Sequence, residues 1–309
     1  QKREQIGRRT TAALGYNECV TYSFIDKKAA TLFGGGDNAT MLENPISSEM
    51  SHMRPALLPG LLQAAARNQA RGFMDMALFE AGAAFQGGEP GEQHLQITGL
   101  LVGRTVGKDV HGESRGVDLF DAKADAEVVL SALGAPAKVQ ILRGGEAWWH
   151  PGRHGRICLG PKKTLAVFGD VHPKILEALD VKGPAVAFTI YPEEIPMPRK
   201  TSATRPALEL RDLQAVERDF AFVVDSSVEA LTLVNAAAGA DKELIDGVKV
   251  FDEFTGEMAE KQMGEGKKSI AVTVRLQPKD KTLKEKDIEA VAAKIIEKVS
   301  KATGGTLRG

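Results

Sequence analysis

Four prolines, Pro192, Pro196, Pro198 and Pro206, fall within fifteen residues of this 309-residue chain. Each fixes φ and removes a backbone donor, so no regular helix or central strand can run through them. Arg199, Lys200, Thr201, Ser202 and Thr204 stand among them. The stretch reads as an extended linker over 196–210. It separates a first domain, 1–195, from a second, 211–309, and the chain length predicts two domains as well. With 43% hydrophobic and 26% charged residues, each part has enough apolar material for a core, and a disordered chain is excluded. The formal net charge of -1 excludes a global field that draws in nucleic acid or an anionic membrane, so any such contact must be local. No run approaches the 18 apolar residues of a membrane span. Gln1–Gln5 has no apolar segment behind it to make a secretory signal. The chain starts without Met, which predicts that it begins inside something longer or was processed. Cys19 and Cys158 sit in apolar surroundings and read as free thiols of a cytoplasmic protein.

The second part has a readable order. Residues 216–225 end in a β-branched and aromatic run and predict a strand. Ser226 and Ser227 are placed to cap a helix with Val228, Leu231, Val234 and Ala238 as its apolar stripe, stopped by Gly239. Residues 244–254 and 268–276 alternate and predict two more strands, joined by a Gly- and charge-rich loop, 256–266. Thr282 and Glu285 have the spacing of a capping box. Behind them Ile288, Val291, Ala292, Ile295, Ile296 and Val299 share one helix face. Gly304 and Gly305 end that helix, and 306–308 is a short last strand. The order βαββαβ is the ferredoxin-like plan, which does not by itself imply a function.

The first part predicts helices at 2–14, 58–71, 123–133 and 173–180. Strands are predicted at 18–25 and near 76–85, 94–103, 138–143, 154–159 and 164–170. Strands that follow one another with few helices between them favour an antiparallel sheet flanked by helices, an α+β fold.

Candidate chemistry is sparse. The six histidines are at 52, 94, 111, 150, 154 and 172. His150 and His154 are four apart, but Pro151 and Gly152 keep them off a shared helix face, so no metal site is predicted. Gly34–Gly36 and Gly87–Gly88 lack the Lys-Ser/Thr or βαβ context of a phosphate loop and read as turns. Ser47, Ser48 and Ser51 flank His52 without a Gly-x-Ser-x-Gly elbow, so no nucleophile is predicted. Over 211–309 there are 16 Lys+Arg against 18 Asp+Glu. Even so, Lys267, Lys268, Arg275, Lys279, Lys281, Lys284 and Lys286 gather on one strand and the loop after it. Phe251 and Phe254 are possible stacking platforms on a ferredoxin-like sheet.

Longer segments carry a resemblance. The run from Asn44 to Leu62 (NPISSEMSHMRPALLPGLL), Leu78–Phe85, Trp149–Arg153 and Phe168–Pro173 resemble the beta subunit of bacterial phenylalanyl-tRNA synthetases, as its C-terminal part. So do Glu217–Asp219, Phe251–Phe254, Gly266–Ser269, Lys281–Leu283 and Leu307–Gly309. The resemblance implies an inactive class II synthetase-like module, an antiparallel sheet with helices, over 1–195. It implies a ferredoxin-fold anticodon-binding domain over 211–309. Class II enzymes clamp ATP with an Arg in a Phe-Arg-x-Glu segment and another in a Gly-rich segment. Here Leu78-Phe79-Glu80 has no Arg at that place, and nothing after Gly169 supplies the second. No catalytic residue is therefore expected in this chain. ATP and Mg2+ are expected in an alpha subunit, the partner in an (αβ)2 assembly that charges tRNA(Phe), with 41–62 as a candidate interface. The positions that match the anticodon pocket are Ala221, Asp252, Phe254, Ser269 and Arg308. The other reading of the same resemblance is a stand-alone RNA-binding or assembly module without a ligase role.

Overall fold

The computed structural model describes residues 2–107, 109–197, 207 and 210–308. Most of the expected linker, 198–206 and 208–209, lies outside the described residues. The chain divides into two compact units, 1–202 and 203–309.

In chain order the first unit holds α1 (Lys2–Ala13), β1 (Asn17–Glu18), β2 (Phe24–Ile25), α2 (Lys27–Leu32), β3 (His52–Met53), α3 (Leu58–Gln69), β4 (Met76–Phe85) and β5 (Gln93–Val102). It continues with α4 (Leu119–Ala132), β6 (Gln140–Leu142), β7 (Trp149–Leu159), β8 (Lys163–Val171), α5 (Pro173–Ala178) and β9 (Ala185–Ile190). Seven strands form one sheet in the order β1-β4-β5-β9-β8-β7-β6, antiparallel except for the β1–β4 pair. Both faces are covered. On one, Phe79, Ile97, Phe168 and Phe188 pack with Ala122, Ala126 and Val129 of α4. On the other, Leu78, Leu100, Val167 and Ala187 pack with Leu58, Leu61, Leu62 and Ala65 of α3. A sheet buried on both faces has no reason to alternate polar with apolar residues.

That explains the strand the sequence reading missed. All six residues of β9 are buried, and it lies centrally between β5 and β8. The expected strand 18–25 is two short pieces instead. Cys19 donates to the Phe79 carbonyl beside β4, while β2 leaves to pair with β3. β7 starts earlier than expected because its Pro151-Gly152 stretch is accommodated as a register shift against β8.

The second unit holds β10 (Val216–Asp225), α6 (Ala230–Ala238), β11 (Ile245–Phe254), α7 (Glu257–Met263), β12 (Lys267–Leu276), α8 (Glu285–Thr303) and β13 (Thr306–Leu307). The sheet order is β11-β12-β10-β13, with every pair antiparallel. Phe220, Phe222, Val224, Ile270, Val272 and Val274 face a core completed by Leu233 and Ala237 of α6 and Val291, Ile295 and Val299 of α8.

Four local expectations are corrected. The α6 stripe runs through Leu233 and Ala237, and Leu231 is exposed. The helix starts later than the serines imply, because 225–228 closes as a turn in which Val228 N–H donates to the Asp225 carbonyl. α8 starts after Lys284, whose N–H donates to the Asp287 carboxylate at 3.1 Å, so the Thr282 box is not used. The expected loop 256–266 contains α7, which buries Ala259 alone and so shows no amphipathic period.

Candidate functional site

The register of the second unit decides which residues share a face. Ala221 pairs with Ala271 and Val223 with Ser269 across β10 and β12. Between β11 and β12 a bulge between Val250 and Asp252 resets the alternation. After it, Asp252 stands opposite Ala271 and Phe254 opposite Ser269. Ala221, Asp252, Phe254 and Ser269 therefore point away from the two core helices, onto the open face. Without the bulge, unbroken alternation from Val250 would put Phe251 and Glu253 on that face and turn Asp252 and Phe254 toward the core.

Arg308 joins them from the other edge. Its N–H donates to the Ala221 carbonyl at 2.7 Å, and Nη2 lies 3.4 Å from Gln262 Oε1 of α7. The five expected residues thus belong to one surface. Asp252 is exposed and Phe254 half-buried, so an edge and a ring are accessible, whereas Ser269 is only 4% exposed and forms the floor. Phe251, the other candidate platform, is exposed at the bulge.

The basic cluster is less free than its sequence suggests. Lys267 pairs with Asp225 at 2.7 Å, Lys268 with Glu253 at 3.0 Å and Arg275 with Asp246 at 3.6 Å. Carboxylates on neighbouring strands already balance these cations.

In the first unit, a cavity of ≈ 620 Å³ opens on the α3 face of the sheet. Gln96 of β5 and Thr189 of β9 form part of its floor, and Phe33, Trp148, Trp149 and Tyr191 stand around it. Asp37, Glu146, Glu193 and Glu194 also line it, and among the described residues no Lys or Arg does. Trp149 Nε1 donates to Glu146 at 3.1 Å, and the Leu95 N–H donates to Glu193 at 3.3 Å. Burial, and then the Glu146 charge, push the Tyr191 hydroxyl pKa up. Burial pulls the His94 imidazole below its ordinary value against the opposing pull of Glu193, so His94 brings no positive charge at neutral pH. Gly34 and Gly35, read from sequence as a surface turn, border this cavity.

Other candidates resolve plainly. Ser51 Oγ lies 2.9 Å from His52 Nδ1, but His52 is 3% exposed, so the pair faces the interior rather than a substrate. His150 and His172 have ring centroids 6.4 Å apart, and His154 Nδ1 lies 2.7 Å from the His150 carbonyl. Among the described residues no three His, Cys, Asp or Glu side chains gather at ligand distance.

The candidate interface 41–62 splits in two. Met41 and Ile46 are exposed, whereas Ala56, Leu57, Leu58, Leu61 and Leu62 are core. The apolar surface around the first half is instead extended by Val20 (89% exposed) and Tyr22, which line a second cavity with Phe24 and Met50. Sequence reading also missed a buried ion pair. Arg54 Nη1 lies 2.7 Å from Glu80 Oε1, both side chains 4% exposed, and Arg54 also donates to Thr21 Oγ1 and the Ala83 carbonyl.

Two family models match. The phenylalanyl tRNA synthetase beta chain CLM domain covers 1–191, and the ferredoxin-fold anticodon binding domain covers 212–308. The chain belongs to the phenylalanyl-tRNA synthetase beta chain family. The phenylalanine–tRNA ligase beta subunit of Ruegeria pomeroyi is 75% identical over all of this chain, and that of Cereibacter sphaeroides is 70% identical. In each case the chain spans 38% of the relative's length. A pyrrolysyl-tRNA synthetase of Desulfitobacterium hafniense matches 62% of this chain and 65% of its own at TM-score 0.47 and 17% identity, too weak a likeness to establish a shared fold. No helix among the described residues is long and apolar enough to cross a membrane.

Proposed function

We propose that this chain serves a phenylalanine–tRNA ligase by assembling with an alpha subunit, as (αβ)2, and by holding the anticodon of tRNA(Phe) on the open face of its second unit. The observation that carries the reading is the convergence of Ala221, Asp252, Phe254, Ser269 and Arg308 on that face from both edges of the sheet. A splayed base would stack on Phe254, Asp252 would accept from its edge, and Arg308 would meet phosphate or base. Family membership favours this over a stand-alone RNA-binding module.

ATP and Mg2+ belong, in this reading, to the alpha subunit. The four carboxylates lining the first unit's cavity oppose a triphosphate, and among the described residues no Lys or Arg lines it to neutralise one, so these residues do not fit the nucleotide. The exposed apolar residues around Val20, Tyr22 and Ile46 are the part of the surface offered to the partner.

Phe254→Ala, made in the assembled ligase, tests the anticodon role. It should weaken tRNA(Phe) binding by about 1–3 kcal/mol. Because the strand's cations are already paired, that loss should change little with salt. Unchanged affinity with the fold intact would remove Phe254 from the site.

A further inference from the structure

We propose that the ≈ 620 Å³ cavity on the α3 face of the first unit binds a small organic cation, an ammonium group carried on an apolar or aromatic body. This goes beyond the anticodon reading and does not depend on it. Three observations converge. The volume is that of a small-molecule pocket rather than a packing defect. Aromatic rings line it in two pairs: Phe33 and Trp148 stand 5.4 Å apart, and Tyr191 lies 6.3 Å from His94. A cation over such faces is attracted by the ring quadrupoles.

The third observation is charge. Glu146 and Glu193 are held by neutral donors, the Trp149 indole N–H and the Leu95 N–H, so neither is balanced by those contacts. Asp37 is likewise held by the Thr40 N–H and hydroxyl. Among the described residues, Glu194 alone of the four is in an ion pair, with Lys163 at 3.5 Å. His94 is kept neutral by burial, and its Nδ1 is buried without a hydrogen-bond partner among the described residues. An anion entering would meet Asp37, Glu146 and Glu193, and among the described residues no Lys or Arg lines the cavity to receive it. A neutral apolar molecule would leave them unanswered. A cation with an apolar body answers both the rings and the carboxylates.

The chain contains two tryptophans, and both line this cavity, so its intrinsic fluorescence reports on the site. Benzylammonium, benzyl alcohol and benzoate share one ring and differ in charge. Titrated into the chain, benzylammonium should give saturable quenching with a Kd below about 1 mM, with benzyl alcohol at least about tenfold weaker and benzoate weaker still. The doubly substituted Glu146→Gln, Glu193→Gln chain should bind benzylammonium at least about tenfold more weakly, since both carboxylates are exposed and their loss leaves the fold in place. Its unperturbed far-ultraviolet circular dichroism separates lost binding from lost structure. No saturation with benzylammonium, equal affinity for benzyl alcohol, a preference for benzoate, or full binding by the double variant would each overturn the proposal.

Discussion

Arg54 shows at the residue scale what periodicity does not carry. An isolated arginine in an apolar run, Met53-Arg54-Pro55, gives no sign of its partner, Glu80, which lies on another element. Folding brings them together in a site from which water is excluded, and the guanidinium is answered by a carboxylate, a hydroxyl and a carbonyl. Removing one member leaves the other charged and buried. Arg54→Ala should therefore cost about 3–5 kcal/mol in urea unfolding, more than a surface ion pair could. A loss below about 1 kcal/mol would mean that water reaches Glu80. Asp125 poses the opposite case. Burial raises its carboxyl pKa, more than the Tyr16 hydroxyl bond at 2.6 Å lowers it, and the nearby Asp121 raises it further. A carboxyl whose folded pKa lies above its unfolded value contributes stability below the unfolded pKa and loses it as pH rises through the folded one. Asp125→Asn keeps an acceptor for Tyr16 and removes the titration. The variant should melt higher than the parent at pH 7 and lose that advantage near pH 4. An advantage independent of pH would show that ionisation of Asp125 is not its source.

Among the elements, legibility followed the environment of each. β10 and β12 alternate because one face is core and the other open, and period two reveals them. β9 does not alternate because both its faces are core. α7 offers one buried residue and no period, so composition alone could not separate it from a loop. The anticodon positions came from resemblance, and only the β11 bulge shows why Asp252 and Phe254 reach the same face as Ser269. The acidic cavity was not legible at all, since its walls come from segments as distant as Phe33 and Glu194. Gly99 of β5 illustrates how such segments are fitted. It pairs with Phe188, and a Cβ at position 99 would stand 2.4 Å from that ring and 3.0 Å from Tyr16. Strand propensity alone would favour alanine there, but a rigid ring in a full core cannot step aside. Gly99→Ala should lower stability by about 1–3 kcal/mol, read from its denaturation midpoint. A neutral or stabilising result would mean that the Phe188 ring repacks freely.

For the molecule as a whole, the decisive property is that each unit owns a core. Phe222, Leu233, Ile270 and Ile295 belong to one cluster whose residues all lie in the second unit. The hydrogen bonds of its sheet also close within it, and Gln277 Nε2 reaches only as far back as the Leu213 carbonyl, at 2.8 Å. A segment that completes its own sheet and buries its own helices meets the conditions for folding alone. Residues 211–309, produced by themselves, should therefore unfold cooperatively on heating. Ile295, 1% exposed between α8 and the sheet, tests whether that cooperativity comes from this core. Ile295→Ala should cost the isolated segment about 2–5 kcal/mol. For a domain of this size each kcal/mol corresponds to about 4–8 °C, so the substitution should displace the midpoint by at least about 8 °C. A segment without a cooperative transition, or one whose midpoint ignores Ile295, would place the source of its stability outside the cluster that the sequence periodicity of α8 first outlined.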